Sequence, residues 1–504
     1  MNIDKKEFVL PAKNSLQIEE KLQGVTAESG GEFVLPDYMP KVQRILRLCA
    51  VATPPSRYMS TKDAQFSGNV LHSLVYIGED GEISATVLPS KYEVSVALPA
   101  DVYDIVATVE IDNLTYRLTA PRKLNIRTRL RINPCAFSTL DIEDCCTNSS
   151  SEIQKLYGEI DTVKTTVLKV PEITVSDSLK TTVSDNTNLL WCGASAAVSD
   201  VKTMDGGVSV RGEVIAKVLL AEDNEPKFYT KRIPFDEFVD GEITKNTFAI
   251  ATASVVSTEA SMDNSGEVLI DAVVAINVTA DTAEKMPVLK DLFSTEGEGR
   301  VEYSDITSVK NLLSLSGVYD VNASVHRDGD FTVVDTSGTA ALDEIVMTDG
   351  KPVANGRCML NLICKNEEGG IYSSEYTVPF KIVLDGDIPD GADILSNASL
   401  LSARSRLEGE NILFDMDIAL SMRVMEKTLE KTVSKADFTD VKRYEKSKYP
   451  MSIVYANGES LWNLAKKYHI SPETLAKINM IEIDKEDYIN PEKIEKSRSL
   501  MLEF

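Results

Sequence analysis

Histidine is scarce in this 504-residue chain: there are three, His72, His326 and His469, and they stand far apart. A Ser–His–Asp arrangement or a two-histidine metal site would need distant segments to meet. The sequence also lacks a Gly-x-x-x-x-Gly-Lys-Ser/Thr loop, a Gly-x-Gly-x-x-Gly turn after a strand and a His-Glu-x-x-His helix. Those absences remove the usual phosphate, dinucleotide and zinc-protease signatures. Carboxylate pairs are plentiful, but glycoside hydrolysis depends on a separation that sequence cannot supply. The expectation is a non-enzymatic protein with no catalytic residue, no metal ligand and no cofactor.

Cysteine pairs at metal or redox spacing are missing too. The seven cysteines (Cys49, Cys135, Cys145, Cys146, Cys192, Cys358, Cys364) form no Cys-x-x-Cys. An odd, scattered set reads as reduced thiols used for packing. Adjacent Cys145 and Cys146 would close a disulfide only with strain. Basic side chains are outnumbered, 53 against 78 acidic, for a net charge of −25. That balance repels phosphate backbones and anionic lipid and makes a basic patch on a partner protein the natural target. No apolar run reaches the roughly 18 residues of a membrane span, and the stretch from Met1 to Pro11 has no signal-peptide core. A cytoplasmic location is expected.

What the chain does have is an internal repeat. Gly68-Asn-Val-Leu-His-Ser-Leu-Val-Tyr76, Gly212-Glu-Val-Ile-Ala-Lys-Val-Leu-Leu220 and Gly356-Arg-Cys-Met-Leu-Asn-Leu-Ile-Cys364 begin on glycines 144 residues apart in both steps. Ile45-Leu46, Leu189-Leu190 and Val333-Val334 keep that offset, as do Leu124, Val268 and Ile412 at the start of three apolar strands. Such periodicity must be recognised before any fold is assigned. Each glycine-led strand is followed by an acidic turn (Glu79-Asp80-Gly81, Glu222-Asp223-Asn224, Glu367-Glu368-Gly369-Gly370) and a second strand ending at Pro89, Pro234 or Pro379. Runs rich in Val, Ile, Thr and Tyr at hairpin spacing predict strands, including Ser209 to Leu220, Val268 to Val278 and Ile412 to Val424. The expected fold is mainly β: three tandem antiparallel sandwich- or barrel-like repeats of about 144 residues. The expected spans are 1–145, 146–290 and 291–436. Glycine inside a strand marks a bulge or a close backbone approach, and Gly68, Gly212 and Gly356 are read that way. His72 is matched by Ala216 and Leu360 at its repeat position, which makes it a core residue.

A linker over 437–449, with the charged run Lys442 to Lys448, separates the repeats from a module at 450–504 with helical periodicity. Leu461, Trp462, Leu464, Ala465 and Tyr468 form one stripe, with Ser460 placed to cap the helix and Gly458 to turn the chain. A second helix starts at Ser471-Pro472-Glu473, with Ser as cap and Pro at the first position. His469 at the end of the first helix suits the dipole as a cation.

Strand, capped helix, capped helix and Asn479 resemble a LysM domain. That resemblance implies a small βααβ (α+β) fold and a shallow groove. Asn457, Gly458, Glu459, Ser460 and Leu461 would line one side; Ile478, Asn479, Met480 and Ile481 would line the other. Leu461, Trp462, Leu464 and Ile478 also read as core. The long acidic stretch from Glu482 to Asp487 departs from the LysM pattern and disfavours peptidoglycan. The three copies, with Ile233-Pro234-Phe235 and Val378-Pro379-Phe380 at corresponding places, resemble the SPOCS domain. Three such domains before one LysM module are similar to the SipL-like spore-coat morphogenetic proteins. That resemblance implies a scaffold in the mother-cell cytoplasm at the forespore surface. Its partners would be the coat morphogenetic ATPase, stage IV sporulation protein A, and other coat proteins. The alternative is a LysM protein that binds peptidoglycan or another glycan at the wall or cortex.

Overall fold

Val268, Ile270, Ala272, Val274, Val278 and Ala280 are each at most 1% exposed, while the residues between them are more open. This period of two buries one face of a strand and leaves the other to neighbours or solvent. Ile412, Phe414, Met416, Ile418, Leu420, Met422 and Val424 repeat the pattern. In copy one it is carried by Leu124, Ile126, Leu130 and Ile132. The computed structural model describes residues 14–142, 152–168, 170–181, 187–222, 225–244, 246–263, 265–444, 451–482, 488–490, 494 and 498–503. Cys145 and Cys146 lie outside them.

Each copy is a sandwich of two antiparallel sheets, in agreement with the mainly β expectation. The glycine-led strands Asp63–Gly78, Gly207–Glu222 and Lys351–Asn366 are central in one sheet, flanked by Val42–Ala52, Thr187–Met204 and Phe331–Thr348 on one side. Ile83–Ala97, Glu225–Asp240 and Ile371–Val383 lie on the other side. Pro89, Pro234 and Pro379 sit inside these outer strands and do not end them as expected, because on an edge strand a missing N–H costs no ladder bond. The second sheet of each copy is built on Lys123–Ile142, Glu267–Ser294 or Asn411–Arg443, to which both the first and the penultimate segments of the copy pair. The core lies between the sheets. In copy two Val208, Val210, Val214 and Phe235 of one sheet meet Val268, Ile270 and Ala272 of the other.

The repeat glycines do what a strand glycine does where backbone and aromatic ring approach. Gly68, Gly212 and Gly356 stand directly across the ladder from Tyr92, Phe235 and Phe380. A Cβ on Gly212 would lie 2.3 Å from the Phe235 ring and 2.3 Å from the Ala197 carbonyl oxygen; on Gly356 it would lie 2.2 Å from Phe380. In copies two and three the strand on the opposite side is bulged one step away, between Val198 and Asp200 and between Leu342 and Glu344. His72 is fully buried and joins the two sheets of copy one, its Nδ1 2.9 Å from the Leu88 carbonyl and its Nε2 2.8 Å from Thr128 Oγ1. Burial lowers its pKa, in keeping with a core role. Cys358 and Cys364 are buried, and burial pushes both thiols up to about 11.

The three copies close on one another around a common axis. Val75, Leu219 and Ile363 occupy one repeat position, are at most 1% exposed, and share one apolar cluster with the equivalent trio Leu46, Leu190 and Val334. Elsewhere Leu16, Ile160 and Ile306, one from each copy, meet in a second cluster. Every pair of copies is in contact. Gln17 Nε2 donates to the Thr165 carbonyl at 2.8 Å between copies one and two. Lys290 meets Glu430 at 2.9 Å between two and three, and Lys21 meets Asp393 at 2.6 Å between one and three. A buried charge network spans all three, with Arg423 Nη1 3.0 Å from Asp281 and Nη2 paired with Glu19.

The C-terminal module pairs Met451–Tyr455 with Ser499–Glu503 antiparallel and places two helices between them, α1 (Leu461–Tyr468) and α2 (Pro472–Ile478). Within the span read as linker, the sheet of copy three runs on through Lys442 and Arg443, opposite Glu298 and Gly297.

Candidate functional site

Both helices begin at the serines that the sequence nominates. Ser460 Oγ accepts from the Asn463 amide at 3.3 Å, and Ser471 Oγ accepts from the Thr474 amide at 3.1 Å, each satisfying a donor that the first turn leaves free. The first helix ends on His469 with φ 56°, stacked on Tyr444 with ring centroids 3.4 Å apart. Burial lowers the pKa of His469, which works against the cation expected from the helix dipole.

The nine residues nominated for the groove fall into two groups. Ser460 and Leu461 are buried and occupied by capping and core packing. Asn479 is occupied as well: its Nδ2 donates to the Leu475 and Met501 carbonyls at 2.8 Å each, and its Oδ1 accepts from the Met501 amide at 2.6 Å. It ties the end of α2 to the last strand. Available to a ligand are Asn457, Gly458 and Glu459 on one loop and Ile478 and Met480 on the other; Ile481 packs against the domain's core, and Ile478, expected in that core, stands outside it. Met480 is 90% exposed with φ 50° and projects as an apolar knob. Gly458 takes φ 91°, as its turn requires. Glu459 accepts from the Asn457 amide at 2.8 Å and from Lys467 Nζ at 3.1 Å, and these two partners hold its carboxyl below the usual range. Of the acidic stretch that follows, Glu482 is exposed and 483–487 lie outside the described residues.

Arg498 connects the two loops. Its backbone carbonyl accepts from the Ala456 amide at 3.0 Å, and its guanidinium donates to the Asn479 carbonyl at 3.0 Å. A half-buried cation therefore stands between an acidic loop and an apolar one. No motif marks it, because it lies nineteen positions beyond Asn479 and reaches the loops only once the final strand has paired.

Residues 456–494 match the model of the LysM domain family. No curated protein and no solved structure matches the chain. The matched segment contains all nine groove residues.

The LysM domain is docked, and its docking face is not its loops. Trp462 Nε1 donates to Asp291 Oδ2 at 2.8 Å, Lys466 Nζ lies 2.8 Å from both oxygens of that carboxylate, and Tyr303 OH donates to it at 2.6 Å. The Trp462 ring packs edge-on against Phe293, centroids 5.1 Å apart, and Leu156 joins the same cluster. Asp291 and Phe293 lie in Glu267–Ser294 and Leu156 in its ladder partner Ile153–Leu168, so all three belong to the second sheet of copy two, whose last strand runs past the boundary expected at 290. Burial pulls the Asp291 carboxyl up, but hydrogen bonds from Lys466, Tyr303 and Trp462 outweigh it and hold the group below the ordinary aspartate value. Trp462 thus joins the domain's core to the body and leaves Asn457 and Met480 exposed.

Proposed function

We propose that this chain is a non-enzymatic scaffold whose three-copy body holds one LysM surface in fixed orientation for a protein partner. The observation that carries the reading is the docking itself. Asp291 fixes the inner face of the domain through Trp462 and Lys466, while the loop residues Asn457 and Met480 stay exposed. A rigid body with an oriented surface suits assembly, since orientation fixed before encounter lowers the cost of binding. The exposed apolar Met480, which follows the Asn479 whose carbonyl Arg498 holds, supports a protein surface as the ligand, because an apolar anchor with a charged rim is the usual anatomy of such contacts. Taken with the resemblance to spore-coat morphogenetic proteins, the partner proposed is the coat ATPase, in the mother-cell cytoplasm at the forespore surface.

The family match favours a second reading, in which the same loops bind peptidoglycan or a related glycan. Side-by-side pull-downs of the full chain with purified coat ATPase and with insoluble peptidoglycan separate the two. Saturable retention by the ATPase alone supports the first, and retention by the glycan alone replaces it with the second.

A further inference from the structure

Positions 47, 191 and 335 are equivalent in the three copies, as are 49, 193 and 337, and the ladder confirms it. Arg47, Trp191 and Asp335 pair with Val75, Leu219 and Ile363, and Cys49, Gly193 and Ser337 pair with Ser73, Lys217 and Asn361. All of these residues therefore face the axis where the copies meet, next to the apolar layer of Val75, Leu219 and Ile363. Here the repeat breaks its own symmetry. Arg47 of copy one binds Asp335 of copy three at 2.7 Å and Asn361 at 3.2 Å, and Lys217 of copy two binds Asp335 at 2.7 Å. Arg47 also lies over the Phe228 ring at 5.6 Å.

The centre sets Arg47 and Lys217 against one carboxylate, with Arg47 and Asp335 side chains 5% and 7% exposed and burial lowering the pKa of Lys217. Cys49 does not balance it, because burial raises its thiol pKa and keeps it neutral. Three donors are left over: Arg47 Nη2, Trp191 Nε1 and Ser337 Oγ are buried without a hydrogen-bond partner among the described residues. Ser337 is two residues from Asp335 on the same strand face and lies across the ladder from Asn361, whose side-chain oxygen accepts from the Arg47 guanidinium. An uncompensated buried charge and orphaned donors are both costly, and one anion would relieve both.

We propose that this axial centre binds one small monovalent inorganic anion of the chloride class, held by Arg47 Nη2, Trp191 Nε1 and Ser337 Oγ. The site takes one residue from each of the three copies and exists only when the ring is closed.

Bromide is the probe, because a heavy halide at Nε1 quenches indole emission and Trp191 is one of only two tryptophans. The full chain is titrated with sodium bromide at constant ionic strength, with gluconate as the balancing anion. The expected result is a saturable quenched fraction that chloride competes away. It is about fivefold weaker in Ser337→Ala, the worth of one hydrogen bond, and lost in Arg47→Gln. Should Arg47→Gln fail to fold, Ser337→Ala decides. Quenching that rises linearly without saturation, or a saturable fraction unchanged in Ser337→Ala, overturns the site.

Discussion

Trp462 and Asp291, 171 residues apart in the chain, are joined by a 2.8 Å hydrogen bond from the indole nitrogen to a carboxylate oxygen. The same carboxylate accepts from Lys466 and Tyr303. Asp291→Ala leaves three donors without their acceptor. The side chain is 19% exposed and Lys466 is 40% exposed, so solvent screening reduces the loss. The expected cost is about 1–2 kcal/mol of docking free energy, with both folds intact. Hydrogen exchange should rise on the Leu156–Phe293 face while α1 keeps its protection. Unchanged exchange on that face would show that the apolar contact alone holds the domain.

The same carboxyl makes docking acid-sensitive. Its pKa is depressed in the docked state, so its stabilising contribution is fully present above the free value, about 3.9, and is lost as pH falls through the docked value. Docking measured by Trp462 emission in the Trp191→Phe background should hold at neutral pH and fail only below about pH 4. An undocking transition near pH 6 would assign the control to another group.

Gly212→Ala should destabilise copy two by about 1–3 kcal/mol, because the new methyl overlaps the Phe235 ring and the Ala197 carbonyl. Adding Phe235→Leu should recover part of that loss if the ring is the obstacle. Denaturant titration of the single and double variants measures both.

The 144-residue period, the central strands, the serine caps and the module's two helices were all legible, because each follows from local pattern and turn chemistry. Ring closure was not. Periodicity reports what is alike among the copies, and the axis is held by what differs: Arg47, Trp191 and Asp335 share one repeat position and have nothing in common chemically. That mismatch, a cation and an anion at equivalent places, was the available sign. Docking was hidden for a related reason. Asp291 was one acid among 78, and only the fold brings it to Trp462. Among the groove residues, Asn479 fits the LysM pattern, and the structure uses it as a clamp on Met501.

Closure predicts that the backbone can be cut without releasing a copy. A protease site introduced between copies one and two, within 143–151, should yield two fragments that co-elute under native conditions. Lys21–Asp393, Arg47–Asp335 and the shared apolar clusters still hold copy one to copy three. Separation of the fragments on a native sizing column would contradict closure.

The central claim is that the outward LysM loops form the binding surface. Calorimetric titration of the full chain against the purified coat ATPase, wild type beside Asn457→Ala combined with Met480→Ala, tests it most directly. Both side chains are exposed and outside the core, so the variant should melt as the wild type does. The account predicts affinity weaker by about 1–2 kcal/mol, the scale of interface hot spots; unchanged affinity in a cooperatively melting variant would contradict it and move the contact to the three β copies.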